Sequence, residues 1–121
     1  MITDLTSNVI EKIKLESVPM IKNALGTDLY EIILYGSCAR GDFNKDSDVD
    51  IALLTKCDRT ELKRYERVLA QIATELALKY FAVVNFVCFP KAEYDEKKAW
   101  YPYFKSIDTE GIRLAHISLH T

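Results

Sequence analysis

Cysteine is scarce and unpaired by position. The 121 residues hold Cys38, Cys57 and Cys88, with no C-x-x-C and no Cys/His cluster at zinc spacing. A disulfide framework and a sequence-legible zinc site are therefore not expected, and free thiols suit a reducing cytoplasm, where we expect the protein to work. Long apolar runs are missing too. None approaches the ~18 residues of a membrane span. The opening MITDLTSNVIEKIK carries an acid early and no long apolar core, so no signal peptide is expected there. Basic surplus is also lacking: 16 Lys and Arg stand against 18 Asp and Glu, for a net charge of −2. That balance disfavours bulk nucleic-acid binding by phosphate neutralisation and leaves only a local basic cluster at Lys63, Arg64 and Arg67. No internal repeat, linker or low-complexity stretch is visible.

What is present suits one globular domain over residues 1–121, with 49% hydrophobic and 28% charged residues. Thr3 and Asp4 are candidate caps for a first helix carrying Leu5, Val9, Ile10 and Ile13 at helical spacing. Pro19 predicts a kink or break, with a short continuation ended by Gly26. Residues 30–35 read as a strand buried on both faces, and residues 48–54 as a second strand. A turn over 55–59 leads to a helix over 61–80 capped by Thr60, its buried stripe running through Leu62, Tyr65, Val68, Leu69, Ile72, Ala73, Leu76 and Ala77. Residues 81–89 form a third, nearly wholly apolar strand that Pro90 ends. A charged helical segment follows over 91–98, then an aromatic cluster at 100–104 broken by Pro102. Ile112, Leu114, Ala115 and Ile117 fit a strand or a helical tail equally. The order α-β-β-α-β-α, with a long crossover helix before the third strand, predicts an α/β (α+β) fold: a mixed sheet of three or more strands covered by helices.

The chemistry concentrates in residues 32–54, IILYGSCARGDFNKDSDVDIALL. Asp48 and Asp50 alternate on the second strand and so share a face. Two like charges held together are most simply explained by a divalent cation with hard oxygen ligands. At Gly36 the backbone can approach a phosphate closely, and Ser37 adds a hydroxyl donor beside turn amides that can form an anion nest. These parts point to a Mg²⁺-dependent nucleotide site.

Gly36-Ser37, ten intervening residues, then Asp48-x-Asp50 between two strands resembles the DNA polymerase beta-like nucleotidyltransferase superfamily. The fuller string LYGSCARGDFNKDSDVDIALL resembles its minimal nucleotidyltransferase (MNT) branch. The resemblance implies that Gly36 and Ser37 bind nucleotide phosphates, that Asp48 and Asp50 are catalytic ligands to one or two Mg²⁺ ions, and that ATP or another nucleoside triphosphate is the donor. Arg40, in the same motif, is expected either to contact phosphate or to brace the loop against Asp42 or Asp46. The branch further implies a HEPN-type protein partner, with this chain as the antitoxin that adenylylates it. Self-association is left open.

One position departs from the pattern. Active members of the family it resembles usually carry a third carboxylate on the following strand, and FAVVNFVCF offers only Asn85 as a polar residue. A neutral amide there would weaken a second metal and remove a candidate base. Asn85 is equally readable as a buried, hydrogen-bonded strand residue. The downstream acids Glu93, Asp95 and Glu96 follow Pro90 and are expected to lie too far away. Two functions therefore compete: an AMP-transferring enzyme, and a degenerate protein that binds nucleotide or a partner without chemistry. Of the remaining candidates, Cys38 is expected to fill space and not to react, Tyr35 to pack, His116 and His120 to be tail residues, and the Trp100–Tyr101–Tyr103–Phe104 cluster to cap the core.

Overall fold

The structure, a computed structural model, describes residues 5–116. Thr3, Asp4, Ile117 and His120 lie outside them. The first helix, α1 (Ser7–Leu25), is capped by Thr6, whose hydroxyl accepts the Val9 amide at 3.2 Å. Of the expected kink or break, no break occurs: α1 continues through Pro19. Proline removes one backbone donor, and the residue four back, Leu15, is 72% exposed, so water can take over its carbonyl. Gly26 closes the helix at φ 56° with its amide on the Lys22 carbonyl.

β1 (Leu29–Tyr35) follows after a single 3₁₀ turn. A short helical turn, α2 (Ser37–Arg40), sits inside the connection to β2 (Val49–Thr55). The expected long helix is divided. Asp58, not Thr60, caps α3 (Arg59–Leu62) in a reciprocal capping box with Glu61. A 3₁₀ turn then leads into α4 (Glu66–Tyr80), which buries Leu69, Ile72 and Leu76. β3 (Val84–Pro90) starts three residues later than expected and keeps Pro90 as its last residue. α5 (Lys91–Lys97) and α6 (Pro102–Glu110) follow, and residues 112–116 resolve as a strand, β4 (Ile112–His116).

The sheet order is β3-β2-β1-β4. β1 pairs antiparallel with β2 and with β4; β2 pairs parallel with β3 through the α3–α4 crossover. One face packs Ile32, Leu34, Ile51, Leu53 and Val84 against α1 and α4. The other packs Ile33, Ala52 and Leu54 against Tyr94 of α5 and Phe104 and Ile107 of α6. The aromatic cluster is split. Phe104 is buried, whereas Trp100, Tyr101 and Tyr103 are exposed, because α6 turns only Phe104 and Ile107 inward. Covering both faces of β1 and β2 by helices fixes their register, and with it the side chains just beyond their ends.

Candidate active site

The β1–β2 register places Tyr35 opposite Asp50, and the β2–β3 register places Asn85 on the other side of Asp50. Residues side by side in a sheet share a face. Asp50, Asn85 and Tyr35 therefore lie together on the face that carries α5 and α6, at the end those helices leave open. Asp48, one residue before β2, joins them from the loop side. Asp48 is exposed and Asp50 and Asn85 are half-buried.

The Asn85 side chain faces both acids. Its Nδ2 donates to Asp48 Oδ2 at 3.1 Å and to Asp50 Oδ1 at 3.0 Å. The amide thus sits between the two carboxylates as a donor to both. The carboxylates dictate this orientation, since an amide oxygen turned toward them would repel.

Gly36 meets Asp50 from below. It adopts φ 74°, and a Cβ there would stand 3.0 Å from Asp50 Oδ2. Glycine is needed twice over, for the left-handed backbone and for the close approach. The turn that follows is α2, in which the Gly36 carbonyl accepts the Ala39 and Arg40 amides at 3.0 and 3.1 Å. The earlier Ser37 and Cys38 amides are helix-start donors with no intrahelical acceptor. Arg40 is exposed; its Nε lies 3.3 Å from Asp42 and 3.9 Å from Glu110. Of the two roles read for Arg40, this geometry is that of a loop brace. Farther along the loop, Asn44 Oδ1 accepts the Asp46 amide and Ser47 Oγ accepts the Asn44 amide. These bonds hold the approach to Asp48.

Cys38 is buried beneath the turn, its thiol donating to the Asp48 carbonyl at 3.4 Å. Burial, then the Asp50 charge, push the thiol up from its ordinary value. A thiol held protonated is a poor nucleophile, in line with a filler role. Cys88, on β3, is pushed up by burial to about 12. All three cysteines are free.

Tyr35 does more than pack. Its hydroxyl lies 2.8 Å from that of Tyr103 on α6. Burial first, then the Tyr103 bond and the Asp50 charge, hold the Tyr35 phenol well above its usual range. Strand alternation marks Tyr35 as a neighbour of Asp50, but its partner lies 68 residues away in sequence, and no local signal points to it.

A groove of about 900 Å³ runs from Tyr35, Asp50 and Asn85 along β3 to Arg59, Lys63 and Glu66. Residues 84–88 all line it, although their side chains alternate between faces. That is only achievable if the groove follows the free edge of β3. Lys63 belongs to the basic cluster named from sequence, whereas no sequence signal points to Arg59. Arg59 is held by Glu93 in a two-pronged pair at 2.6 and 2.7 Å.

The residues fit one divalent cation. Asp48 and Asp50 supply hard anionic oxygens that already converge on a single donor atom. Among the described residues no three His, Cys, Asp or Glu side chains form a metal-holding group. Glu93 is engaged with Arg59 and Lys97, and Asp95 with Lys91, so neither supplies a third carboxylate. His116 lies on β4, edge-on to Tyr30. No helix among the described residues is long and apolar enough to cross a membrane.

Comparisons with known proteins bear on the family and the fold. Two proteins of Methanocaldococcus jannaschii, both provisionally named protein adenylyltransferases, are similar in sequence. One is 36% identical over 83 residues, covering 69% of this chain and 81% of the relative. The other is 31% identical over 101 residues, covering 84% and 93%. The fold resembles that in the solved complex of a tri-AMPylated Shewanella oneidensis HEPN toxin with its MNT antitoxin. The TM-score is 0.53 at 17% identity, over 89% of this chain and 73% of that one. With residues 9–114 matching its description, the chain belongs to the nucleotidyltransferase domain family.

Proposed function

We propose that the chain transfers AMP from Mg²⁺·ATP to a hydroxyl of a partner protein, releasing pyrophosphate, and that the partner is a HEPN-type toxin for which it is the antitoxin. The observation that carries the chemistry is the convergence of Asp48 and Asp50 beside the close-approach glycine Gly36. The naming of its sequence relatives as protein adenylyltransferases supports a protein acceptor. The toxin–antitoxin setting of its structural neighbour supports the partner.

In this reading Gly36 lets the backbone reach the triphosphate, and Ser37 with the start of α2 donates hydrogen bonds to it. Arg40, held by Asp42, keeps that loop in shape and remains a candidate phosphate contact. Asp48 and Asp50 would hold the metal, which when bound neutralises charge that develops on the phosphate oxygens. The groove along β3 is where the remainder of the nucleotide or the acceptor would lie. With the neutral Asn85 amide donating to both acids, the chain brings no carboxylate base from β3. The acceptor hydroxyl would then lose its proton to Asp50 or to water.

A second reading keeps nucleotide binding and drops transfer. It is favoured by the neutral Asn85 at the third position. Incubation with labelled ATP, Mg²⁺ and the candidate partner, followed by intact mass, separates them. A gain of one AMP on the partner that Asp48→Ala abolishes supports transfer. Tight Mg²⁺·ATP binding with no AMP on any chain supports binding alone.

A further inference from the structure

We infer that Asn85 makes the Asp48–Asp50 pair a one-metal site with a built-in competitor: its amide occupies the metal-free carboxylates and admits a single divalent cation. This rests on the nucleotide-site reading above. Two acids two residues apart on one face repel each other, and something must offset that repulsion when no cation is present. The Asn85 amide does so, donating one N–H to each acid at 3.1 and 3.0 Å. It is placed to do so by backbone pairing, directly opposite Asp50 in the parallel β2–β3 ladder.

Two consequences follow. A free cation that takes the two oxygens Asn85 holds, Asp48 Oδ2 and Asp50 Oδ1, displaces both hydrogen bonds, so the metal-free chain binds it more weakly there. A metal arriving with a triphosphate brings phosphate oxygens as further ligands and has more to gain from the exchange. Second, a further cation would find only a neutral amide where a charged ligand is needed. Of the acids that follow Pro90, Glu93 is committed to Arg59 and Asp95 to Lys91. The nearby hydroxyls of Tyr35 and Tyr103 are paired with each other.

Mn²⁺ serves as the probe, counted per chain by electron paramagnetic resonance on the full chain, with and without a non-hydrolysable ATP analogue. The wild type is expected to hold one Mn²⁺ with the analogue, and Asn85→Asp to hold two. Without nucleotide, Asn85→Ala is expected to bind Mn²⁺ about tenfold more tightly than the wild type, the net weight of the two hydrogen bonds released once water has replaced them. Two ions on the wild type, one ion on Asn85→Asp, or unchanged Mn²⁺ affinity in Asn85→Ala would each overturn the inference. The Asn85→Ala arm stands alone if Asn85→Asp does not fold. A wild type that binds the analogue with two ions sinks this inference and spares the nucleotide-site reading. One that binds neither analogue nor Mn²⁺ sinks both.

Discussion

The Tyr35 hydroxyl lies 2.8 Å from the Tyr103 hydroxyl, tying α6 to the strand residue immediately before Gly36. The rings meet edge to face, with centroids 6.0 Å apart. Tyr103→Phe keeps the ring contact and removes the bond. A stability loss of about 1 kcal/mol is expected, measurable by denaturant unfolding. Burial, the Tyr103 bond and the Asp50 charge hold the folded Tyr35 above the usual phenol value. Its contribution to stability is therefore complete below the unfolded value of about 10 and falls as pH rises beyond it. In a spectrophotometric titration, Tyr103→Phe should move the Tyr35 transition downward.

Gly36→Ala and Gly41→Ala form a matched pair. Both glycines have positive φ, 74° and 88°. At Gly41 a Cβ meets nothing within 4 Å, whereas at Gly36 it presses on Asp50. Gly41→Ala should cost only the backbone strain, about 1–2 kcal/mol. Gly36→Ala should cost at least as much and also weaken Mg²⁺·ATP binding severely. Thermal unfolding and calorimetric titration of both variants check the difference.

Gly111 is constrained by contact and not by φ. A Cβ there would stand 2.4 Å from the Ile107 carbonyl oxygen and 2.5 Å from Ile33 Cγ2. Gly111→Ala should force α6 off the sheet and destabilise by about 1–3 kcal/mol. The shift should appear in thermal unfolding even though the site residues are untouched.

Arg59 and Glu93 join α3 to α5 beside the groove. The Arg59 hydrogen bonds, followed by that from Lys97, hold the Glu93 carboxyl below its ordinary range against the opposing effect of burial. A lowered carboxylate contributes stability above its unfolded value of about 4.3 and loses it as pH falls through the folded value. Arg59→Ala should therefore flatten the acid limb of the stability profile. At neutral pH its cost should stay under about 1 kcal/mol, since Arg59 is largely exposed.

The sequence read well wherever chemistry is local. Residues 32–54 disclose two strands, the close-approach glycine and the facing acids, and the long amphipathic stretch before the third strand discloses the parallel crossover. Errors arose where a local signal competed with tertiary packing. Pro19 suggested a break, but burial of Ile13, Ile21 and Leu25 along one stripe holds α1 together. Thr60 looked like a cap, but Asp58 stands two residues earlier with Glu61 completing the box. The ambiguity of residues 112–116 ended only through pairing with β1, a contact about 80 residues distant in the chain. Asn85 was legible as a position and illegible as an interaction. Its identity raises the question; the β2–β3 register sets it beside Asp50, and its two hydrogen bonds show that the amide spans both acids.

The most direct test of the account is AMP transfer itself, followed by intact mass of the partner protein after incubation with Mg²⁺·ATP and wild-type chain, Asp48→Ala or Asp50→Ala. The account predicts added AMP with the wild type and none with either variant, while both variants stay folded because Asp48 and Asp50 are not core residues. Undiminished AMP addition by the variants, or none by a wild type that binds Mg²⁺·ATP tightly, would contradict it.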